Sequence, residues 1–181
     1  MCRRQGPSLL ARSGPLTSLS FARFGGVEIT RIGPADWERF RSVRLASLSE
    51  SPAAFGSRYA DWVDAPAERW QSRLAQVPLT LLAQEGTQVV GVVSGQPVGE
   101  TWVELISMWV APAARGTGVA GQLIGAVVDW AAGQDRRTYL MVRSDNARAR
   151  KSYERAGFAD TGIPEGWPAD EPPEHRMERH T

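Results

Sequence analysis

The spacing of hydrophobic residues changes from that of a strand to that of a helix near the middle of the chain. A mostly apolar run at residues 103–110 predicts a buried strand. A turn containing Pro112 follows, and then a glycine-rich loop at residues 115–121. Beyond the loop, apolar residues recur at the spacing that places them on one face of a helix: Val119, Leu123, Ile124, Val127, Val128 and Ala131. The stretch therefore predicts a strand, a glycine-rich loop and a helix in succession.

The hydrophobic patterns on either side predict further strands and helices. Strands are expected at residues 27–32, 79–85, 88–98, 101–110, 137–143, from 158 onward, and at 175–179, where the last would be an edge strand. Helices are expected at residues 34–48, 64–77, 118–132 and 146–156, with Asp64 and Asn146 as N-terminal caps. The order β-α-α-β-β-β-α-β-α-β-β is typical of an α/β domain, in which a mixed sheet has helices on both faces.

The first 26 residues differ in composition from the rest of the chain. They contain four arginines and no acidic residue, which is typical of a transit peptide. A secretory signal would need a continuous apolar core, which Arg12, Gly14 and Pro15 interrupt. We expect a disordered N-terminal extension at residues 1–26, followed by a single domain at residues 27–181.

Charge and cysteine content exclude several classes of protein. The formal net charge is +1, so no overall field favours nucleic acid or a membrane surface. No apolar run approaches the roughly 20 residues of a membrane span. Cys2 is the only cysteine, which excludes an internal disulfide and a cysteine-rich metal site. We expect a cytoplasmic protein that binds no metal, no nucleic acid and no membrane.

The glycine-rich loop predicts an anion-binding site. Glycine lets a backbone turn tightly and approach a ligand closely. The first amides of the following helix have no partner within it, and the helix dipole favours a negative charge at the same place. We therefore expect residues 115–121 to bind a phosphate or pyrophosphate group.

Two patterns match this loop. The dinucleotide fingerprint G-x-G-x-x-G fits residues 116–121, but such a loop opens almost directly from its strand, whereas residues 111–115 intervene here. The pattern R/Q-x-x-G-x-G/A fits residues 115–120 and resembles the pyrophosphate loop of the GCN5-related N-acetyltransferase (GNAT) superfamily, which binds acetyl-coenzyme A. Residues 146–158 also resemble the superfamily motif N-x-x-A-x-x-x-Y-x-x-x-G-F over its whole length. One predicted helix and one predicted strand separate the two motifs, as in the superfamily.

This resemblance implies an acyl-CoA N-acyltransferase fold, with a mostly antiparallel central sheet, and acetyl-CoA as co-substrate without a metal. It implies that the central strand splays from its neighbour after residues 108–110, so that backbone groups there pair with the pantetheine arm. An amide near residue 108 or 109 would also polarise the thioester carbonyl. The residues that the resemblance assigns to acetyl-CoA are Met108, Trp109, Val110, Arg115, Gly116, Thr117, Gly118, Val119, Ala120, Gly121 and Asn146.

Acetyl transfer to a primary amine calls for a base and an acid. A lysine side chain has a pKa of ~10.4, so the amine must lose a proton before it attacks. Glu104 matches the strand glutamate that serves as base in histone-acetylating members; its alternative role is an ion pair with a neighbouring arginine. Glu100 and Asp61 are further candidates for the base. Tyr153 matches the superfamily tyrosine that protonates the leaving thiolate; its alternative role is a core tyrosine.

The acceptor amine stays open at this stage. In the superfamily the first helix and the loop after it form one wall of the acceptor site, which makes Phe55 and Tyr59 candidate substrate contacts. We expect a small-molecule amine as acceptor. A protein N-terminus or lysine is one alternative, and a non-catalytic acyl-CoA-binding module is another. The resemblance also allows a homodimer, because members of the superfamily often dimerise.

Overall fold

The computed structural model describes residues 20–24 and 26–179, and within them eight strands form one sheet with four α-helices. The strands are β1 Ser20–Phe24, β2 Val27–Arg31, β3 Leu79–Glu85, β4 Gln88–Val98, β5 Trp102–Val110, β6 Arg137–Arg143, β7 Ala159–Gly162 and β8 Glu174–Arg179. The helices are α1 Trp37–Glu50, α2 Ala67–Gln76, α3 Val119–Ala132 and α4 Ala147–Arg155. The predicted order of elements is confirmed, with β1 as an additional strand. No helix in these residues is long and apolar enough to cross a membrane.

The strands follow the order β1-β2-β3-β4-β5-β6-β8-β7 across the sheet. Neighbouring strands are antiparallel except β5 and β6, which run parallel. This confirms the mixed, mostly antiparallel sheet. The prediction that the last strand lies at an edge is wrong, because β8 pairs with β6 on one side and with β7 on the other. A hydrophobic pattern locates a strand but does not report its neighbours.

Strand β1 lies inside the segment predicted as a disordered extension. Its residues pair with β2 from Ser20↔Thr30 to Phe24↔Val27, and Gly26, with φ of +87°, lies in the turn between the two strands. The structure therefore differs from the prediction at residues 20–24, because backbone pairing with β2 extends the sheet beyond residue 27. Residues 1–19 lie outside the described residues.

The central strands contribute to two hydrophobic clusters, one on each face of the sheet. In β3, Leu79, Leu81 and Ala83 belong to the cluster that contains α3, whereas Leu82 belongs to the cluster that contains residues of α1 and α2. Successive residues of a strand point to opposite faces. The helices therefore cover both faces, as predicted.

Helix α3 packs directly on β4. Its buried residues are those that the helical spacing predicted: Val119, Leu123, Ile124, Val127, Val128 and Ala131. A Cβ at Gly91 in β4 would stand 2.9 Å from Cδ1 of Leu123 and 3.2 Å from the carbonyl oxygen of Trp109. The missing side chain lets the first turns of α3 approach the sheet, which places the glycine-rich loop beside the end of β5.

The first two helices begin differently from the prediction. A 3-10 turn, Pro34–Asp36, precedes α1, which extends to Glu50. Pro66 rather than Asp64 is the residue before α2, and it makes no side-chain cap hydrogen bond. The residues before Pro66 form a turn instead, in which the Ala65 amide donates to the carbonyl of Trp62. Asp64 lies within this turn and so does not begin the helix. The apolar spacing located these helices but not their first turns.

Candidate active site

Strands β5 and β6 share only a short parallel ladder. It joins Trp102 to Arg137 and ends at Glu104↔Tyr139. Beyond this point β5 pairs only with β4, and β6 pairs only with β8, within the described part of the chain. The two strands therefore separate earlier than the predicted residues 108–110, and residues 105–110 have no neighbour on that side among the strands that the structure describes.

A β-bulge interrupts β5 at Ser107. The residues of β5 that pair with β4 jump from Ile106 to Trp109, while a single residue of β4, Val93, lies between their partners. Ser107 has φ of +57°, a left-handed conformation that is uncommon for residues other than glycine. Such bulges bend a strand and redirect its side chains. Here Ser107 and the following Met108 both reach a cavity wall.

A cavity of about 710 Å³ lies between the end of β5, the glycine-rich loop and α4. Most of the residues predicted to bind acetyl-CoA line it. They are Met108, Trp109, Val110, Arg115, Gly116, Gly118, Ala120, Gly121 and Asn146, together with Tyr153. Strand separation, the loop and the second motif thus converge on one cavity.

Thr117 and Val119 are the predicted loop residues that do not line this cavity. The Thr117 hydroxyl donates to the carbonyl oxygen of Ala114 at 2.7 Å. Val119 is 1% exposed and belongs to the core beneath α3. Their side chains shape the loop and anchor the helix rather than face the cavity.

The loop presents the N-terminus of α3 to the cavity. Gly116 and Gly118 have φ of +85° and +92°, and Gly118 is the cap residue of the helix. At both glycines, and at Gly121, a Cβ would meet no atom within 4 Å, so all three face open space. The first amides of this helix have no partner within it, and its dipole favours an anion. This end of the cavity is therefore suited to an anion and is our candidate anion site.

Arg115 is held by hydrogen bonds within the protein. Its Nη2 donates to Oε2 of Glu50 at 2.7 Å, and its Nε donates to the carbonyl oxygen of Val110 at 3.0 Å. Nε1 of Trp109 donates to the same Oε2 at 3.0 Å. The hydrogen bonds from Arg115, Ser51 and Trp109 lower the pKa of Glu50 to about 2. Arg115 thereby ties the loop to the end of α1.

A second cavity, of about 330 Å³, adjoins the first. Both are lined by Ala54, Phe55, Met108 and Tyr153, so the two cavities meet at these residues. The second also contains Glu104, and its walls come from α1, α2, the β-bulge and β8. The first cavity thus contains the candidate anion site, and the second contains the candidate base.

Tyr153 lies where the cavities meet. It projects from α4, which begins at the cap residue Asn146, and the Asn146 side chain accepts the Ala149 amide at 3.1 Å, as predicted for a helix cap. The Tyr153 ring packs edge-on against Phe158 at a centroid distance of 6.0 Å. Burial raises the pKa of Tyr153 to about 12, so the hydroxyl is protonated at neutral pH and can donate a proton.

Glu104 lines the second cavity from the last rung of the parallel ladder. Burial raises its pKa, while a hydrogen bond from Tyr139 and the charge of Arg176 act in the opposite direction. Within the described residues Glu104 forms no ion pair, and Arg176 instead pairs with Glu178 at 2.6 Å. The structure therefore places a carboxylate with an elevated pKa on the cavity wall.

The other candidate bases lie outside the two cavities. Glu100 is exposed in the turn before β5. Asp61 is bound by Arg58, with Oδ1 at 3.2 Å from Nη2. Of the two candidate substrate contacts, Phe55 lines both cavities. Tyr59 is 40% exposed and lines neither, so the structure does not bring it to the site.

Several lining residues escaped the sequence analysis. Arg148 and Arg155 of α4 face the first cavity, while Arg44, Arg73 and Glu174 face the second. For Arg44 a signal existed, because it falls among the apolar positions of α1, where its side chain is buried. Glu174 follows an acid-rich stretch whose charge could attract an amine, whereas Arg73, Arg148 and Arg155 stand in polar stretches whose sequence gives no such signal.

The described residues contain no group of three or more His, Cys, Asp or Glu side chains that could hold a metal ion. The two cavities are lined by the glycine-rich loop, two carboxylates, a tyrosine and several arginines.

Comparisons with known proteins agree with this geometry. The model of the Acetyltransferase (GNAT) family matches residues 41–158, which is more than half of the chain. The chain belongs to the GNAT acetyltransferase family. The resemblance seen in the two sequence motifs and the acyl-CoA N-acyltransferase fold are both confirmed.

Solved structures share the GNAT fold at low sequence identity. RimL, a ribosomal L7/L12 alpha-N-protein acetyltransferase in complex with coenzyme A, has a TM-score of 0.73 at 13% identity, over 89% of this chain and 97% of that chain. The PaiA N-acetyltransferase from Thermoplasma acidophilum, in complex with coenzyme A, has a TM-score of 0.68 at 16% identity, over 86% and 99%. Arabidopsis thaliana Naa50, in complex with the bisubstrate analogue CoA-Ac-MVNAL, has a TM-score of 0.64 at 17% identity, over 86% and 99%. No curated protein sequence shows significant similarity to this chain.

Proposed function

We propose that this GNAT protein transfers the acetyl group of acetyl-CoA to a primary amine by direct attack. The observation that carries the proposal is the meeting of two cavities at Tyr153, one with an anion site and the other with Glu104. Structural relatives in complex with coenzyme A, RimL and PaiA, support the choice of co-substrate.

The first cavity suits acetyl-CoA in size and in chemistry. Its volume of about 710 Å³ lies within the range of cofactor sites. The amides of residues 116–121 would bind the pyrophosphate, because they stand at the N-terminus of α3. Residues 105–110 lack a strand neighbour on one side, so their backbone groups are suited to the amide-rich pantetheine arm. Asn146 and Arg115 line the same path.

The nitrogen of a protonated amine loses two protons in the reaction, and the leaving thiolate gains one. Glu104 first accepts a proton from the ammonium group, directly or through a water molecule. The neutral nitrogen then attacks the thioester carbonyl carbon, and its second proton passes to water. The carbon–sulfur bond then breaks, and the Tyr153 hydroxyl donates its proton to the leaving thiolate. The products are an amide and free coenzyme A. The raised pKa of Glu104 brings this base closer to neutral pH, where general bases act best.

A small-molecule amine is the acceptor that the second cavity favours. Its volume of about 330 Å³ suits a compact ligand. RimL acts on a protein N-terminus and Naa50 holds a peptide-containing analogue, so a protein acceptor is the alternative.

Thermal unfolding with and without acetyl-CoA, followed by a thiol-release assay over an amine panel, tests the proposal. A ligand at 100 times its dissociation constant adds about 2.7 kcal/mol to the free energy of unfolding. For a domain of this size that raises the midpoint by roughly 5–11 °C. NADH serves as control and should give no shift. Binding without thiol release from any amine would instead identify a non-catalytic module.

A further inference from the structure

Two arginines of the second cavity have buried nitrogen atoms without a hydrogen-bond acceptor. Arg44 of α1 is only 8% exposed, and Arg73 of α2 lies beside it on the cavity wall. Nη1 of each is buried and makes no hydrogen bond to any described residue. Neither arginine forms an ion pair in the described part of the chain. The protein thus holds one buried and one half-buried cation, neither with a carboxylate partner among the described residues.

Such a pair of charges is unfavourable without an anionic partner. Burying an unpaired charge is costly, and two like charges repel each other. Burial, and then the charge of Arg73, lower the pKa of Arg44 to about 10. Burial also lowers the pKa of Arg73. Both remain charged at neutral pH, so the arrangement favours binding of an anion.

The positions of both guanidinium groups are fixed by the protein. The Cζ atom of Arg44 lies 4.4 Å from the ring centre of Phe55, in a cation–π contact. Nη2 of Arg73 donates to Oγ of Ser107 at 3.4 Å, at the β-bulge. Phe55 lines both cavities and Ser107 precedes Met108, which also lines both. The arginines therefore stand close to the junction where the acetyl group would be transferred.

Acidic groups line the same cavity. Glu104 and Glu174 are both on its wall, and burial raises the pKa of each, with the charge of Glu104 adding to the effect on Glu174. No ion pair joins either carboxylate to Arg44 or Arg73 among the described residues. The arginines of the cavity can therefore bind an anionic group of a ligand, and its carboxylates can bind a cationic group.

We propose that the acceptor is a small primary amine that also carries a carboxylate, as a free amino acid does. Arg44 and Arg73 bind the carboxylate, and the amine faces Glu104. This inference rests on the proposed function and names its substrate class. Guanidinium groups match the planar carboxylate in geometry. The four charged side chains sum to zero, so a zwitterion keeps the cavity neutral, whereas a polyamine would add cations beside the two arginines.

A thiol-release assay on matched amines tests this preference. Each of several amino acids is compared with its C-terminal amide and with the amine that lacks the carboxylate. We expect the free amino acid to have the higher kcat/KM by about 10-fold or more, the size expected for a hydrogen bond to a charged group. A peptide with an N-terminal aspartate forms a further arm, because it offers an amine and a carboxylate from a different source.

Arg44→Gln and Arg73→Gln should each abolish most of this preference. The kcat/KM for the amino acid should fall about 10- to 100-fold, mainly through its KM, and by clearly more than the kcat/KM for the simple amine, so that the ratio of the two values approaches one. The matched control is Arg41→Gln, also on α1. Nη2 of Arg41 donates to the carbonyl of Val63, its one hydrogen-bond partner among the described residues, and Arg41 lines neither cavity. If Arg44→Gln does not fold, Arg73→Gln and the wild-type panel decide the question.

Equal rates with amino acids, amides and simple amines would overturn the proposal, as would an unchanged preference in Arg73→Gln. A higher rate with the acidic peptide than with any free amino acid would overturn the small-molecule assignment. If acetyl-CoA binds but no amine releases thiol, the proposed function fails by itself. In that case N-acetyl amino acids are titrated into the coenzyme A complex. Binding that Arg73→Gln removes would support the carboxylate site, and no binding would overturn it.

Discussion

Replacing Tyr153 by phenylalanine removes the candidate general acid and leaves its ring. The ring contact with Phe158 at 6.0 Å remains, as does its packing against the core. We therefore expect the thermal midpoint of Tyr153→Phe to stay within a few degrees of the wild type. The loss should fall on catalysis, because the pKa of about 12 keeps this hydroxyl protonated and able to donate at neutral pH.

The expected loss of rate is that of a missing general acid. General acid catalysis contributes about 10²- to 10⁴-fold, which at 1.36 kcal/mol per tenfold raises the barrier by about 2.7–5.4 kcal/mol. Binding of acetyl-CoA should change by less than about threefold, since Tyr153 lies where the two cavities meet and not on the glycine-rich loop. Because the hydroxyl loses its proton only near pH 12, the wild type should show no alkaline fall in kcat below about pH 10 from this group.

Single-turnover thiol release is the appropriate assay, because slow product release can hide a chemical defect. Tyr59→Phe is the matched control, since Tyr59 is 40% exposed and lines neither cavity. A single-turnover rate for Tyr153→Phe within about threefold of the wild type would refute the assignment. A large fall in the midpoint without a specific loss of rate would identify Tyr153 as a core tyrosine.

Three further predictions follow from the same geometry. Glu104→Gln should lower kcat/KM about 10- to 10³-fold at pH 7, and the deficit should shrink as the pH rises toward the pKa of the amine; an equal loss at every pH would contradict a base. Gly118→Ala should lower the free energy of unfolding by roughly 1–2 kcal/mol, since φ of Gly118 is +92°, and should reduce the thermal shift with acetyl-CoA. Gly125→Ala, within α3, is its control. It should raise the free energy of unfolding by up to about 1 kcal/mol and leave the thermal shift unchanged. Glu50→Gln should lower stability by at most about 1 kcal/mol at pH 7, because the ion pair with Arg115 is about a third exposed. The pKa of Glu50 is about 2 in the folded protein. The difference in stability between wild type and variant should therefore be constant above the ordinary pKa and disappear as the pH falls from about 4.5 to 2, as acid unfolding curves would show. A difference that persists at pH 2 would contradict the assigned pKa.

The elements that depend on local sequence were predictable. The buried face of α3 matches the helical spacing residue for residue, and the β3–β4 hairpin has the predicted bounds. Both rest on periodicity and turn residues within a short stretch. The two motifs likewise located most of the lining of the first cavity, because they lie on the loop and on α4.

Contacts between distant parts of the chain were not predictable. Arg44 and Arg73 meet because α1 packs against α2, and Glu50 reaches Arg115 because α1 ends beside the loop. The separation of β5 from β6 after Glu104 depends on which strands pair, which hydrophobic spacing does not encode. Tyr59 was predicted to contact the substrate because it follows α1 in the sequence, but it lies away from the second cavity in the structure.

The position of β8 between β6 and β7 imposes an order of events on synthesis. Both of its partners precede it in the chain, and β7, only four residues long, pairs with no other described strand. The ribosome adds about 5–20 residues per second. Until β8 has been synthesised, one edge of β6 is unpaired and β7 has no strand to pair with among the described residues. Helix α4, which carries Tyr153, lies between these two strands in the chain. The part of the sheet beside Tyr153 therefore cannot be completed before residues 174–179 have been synthesised.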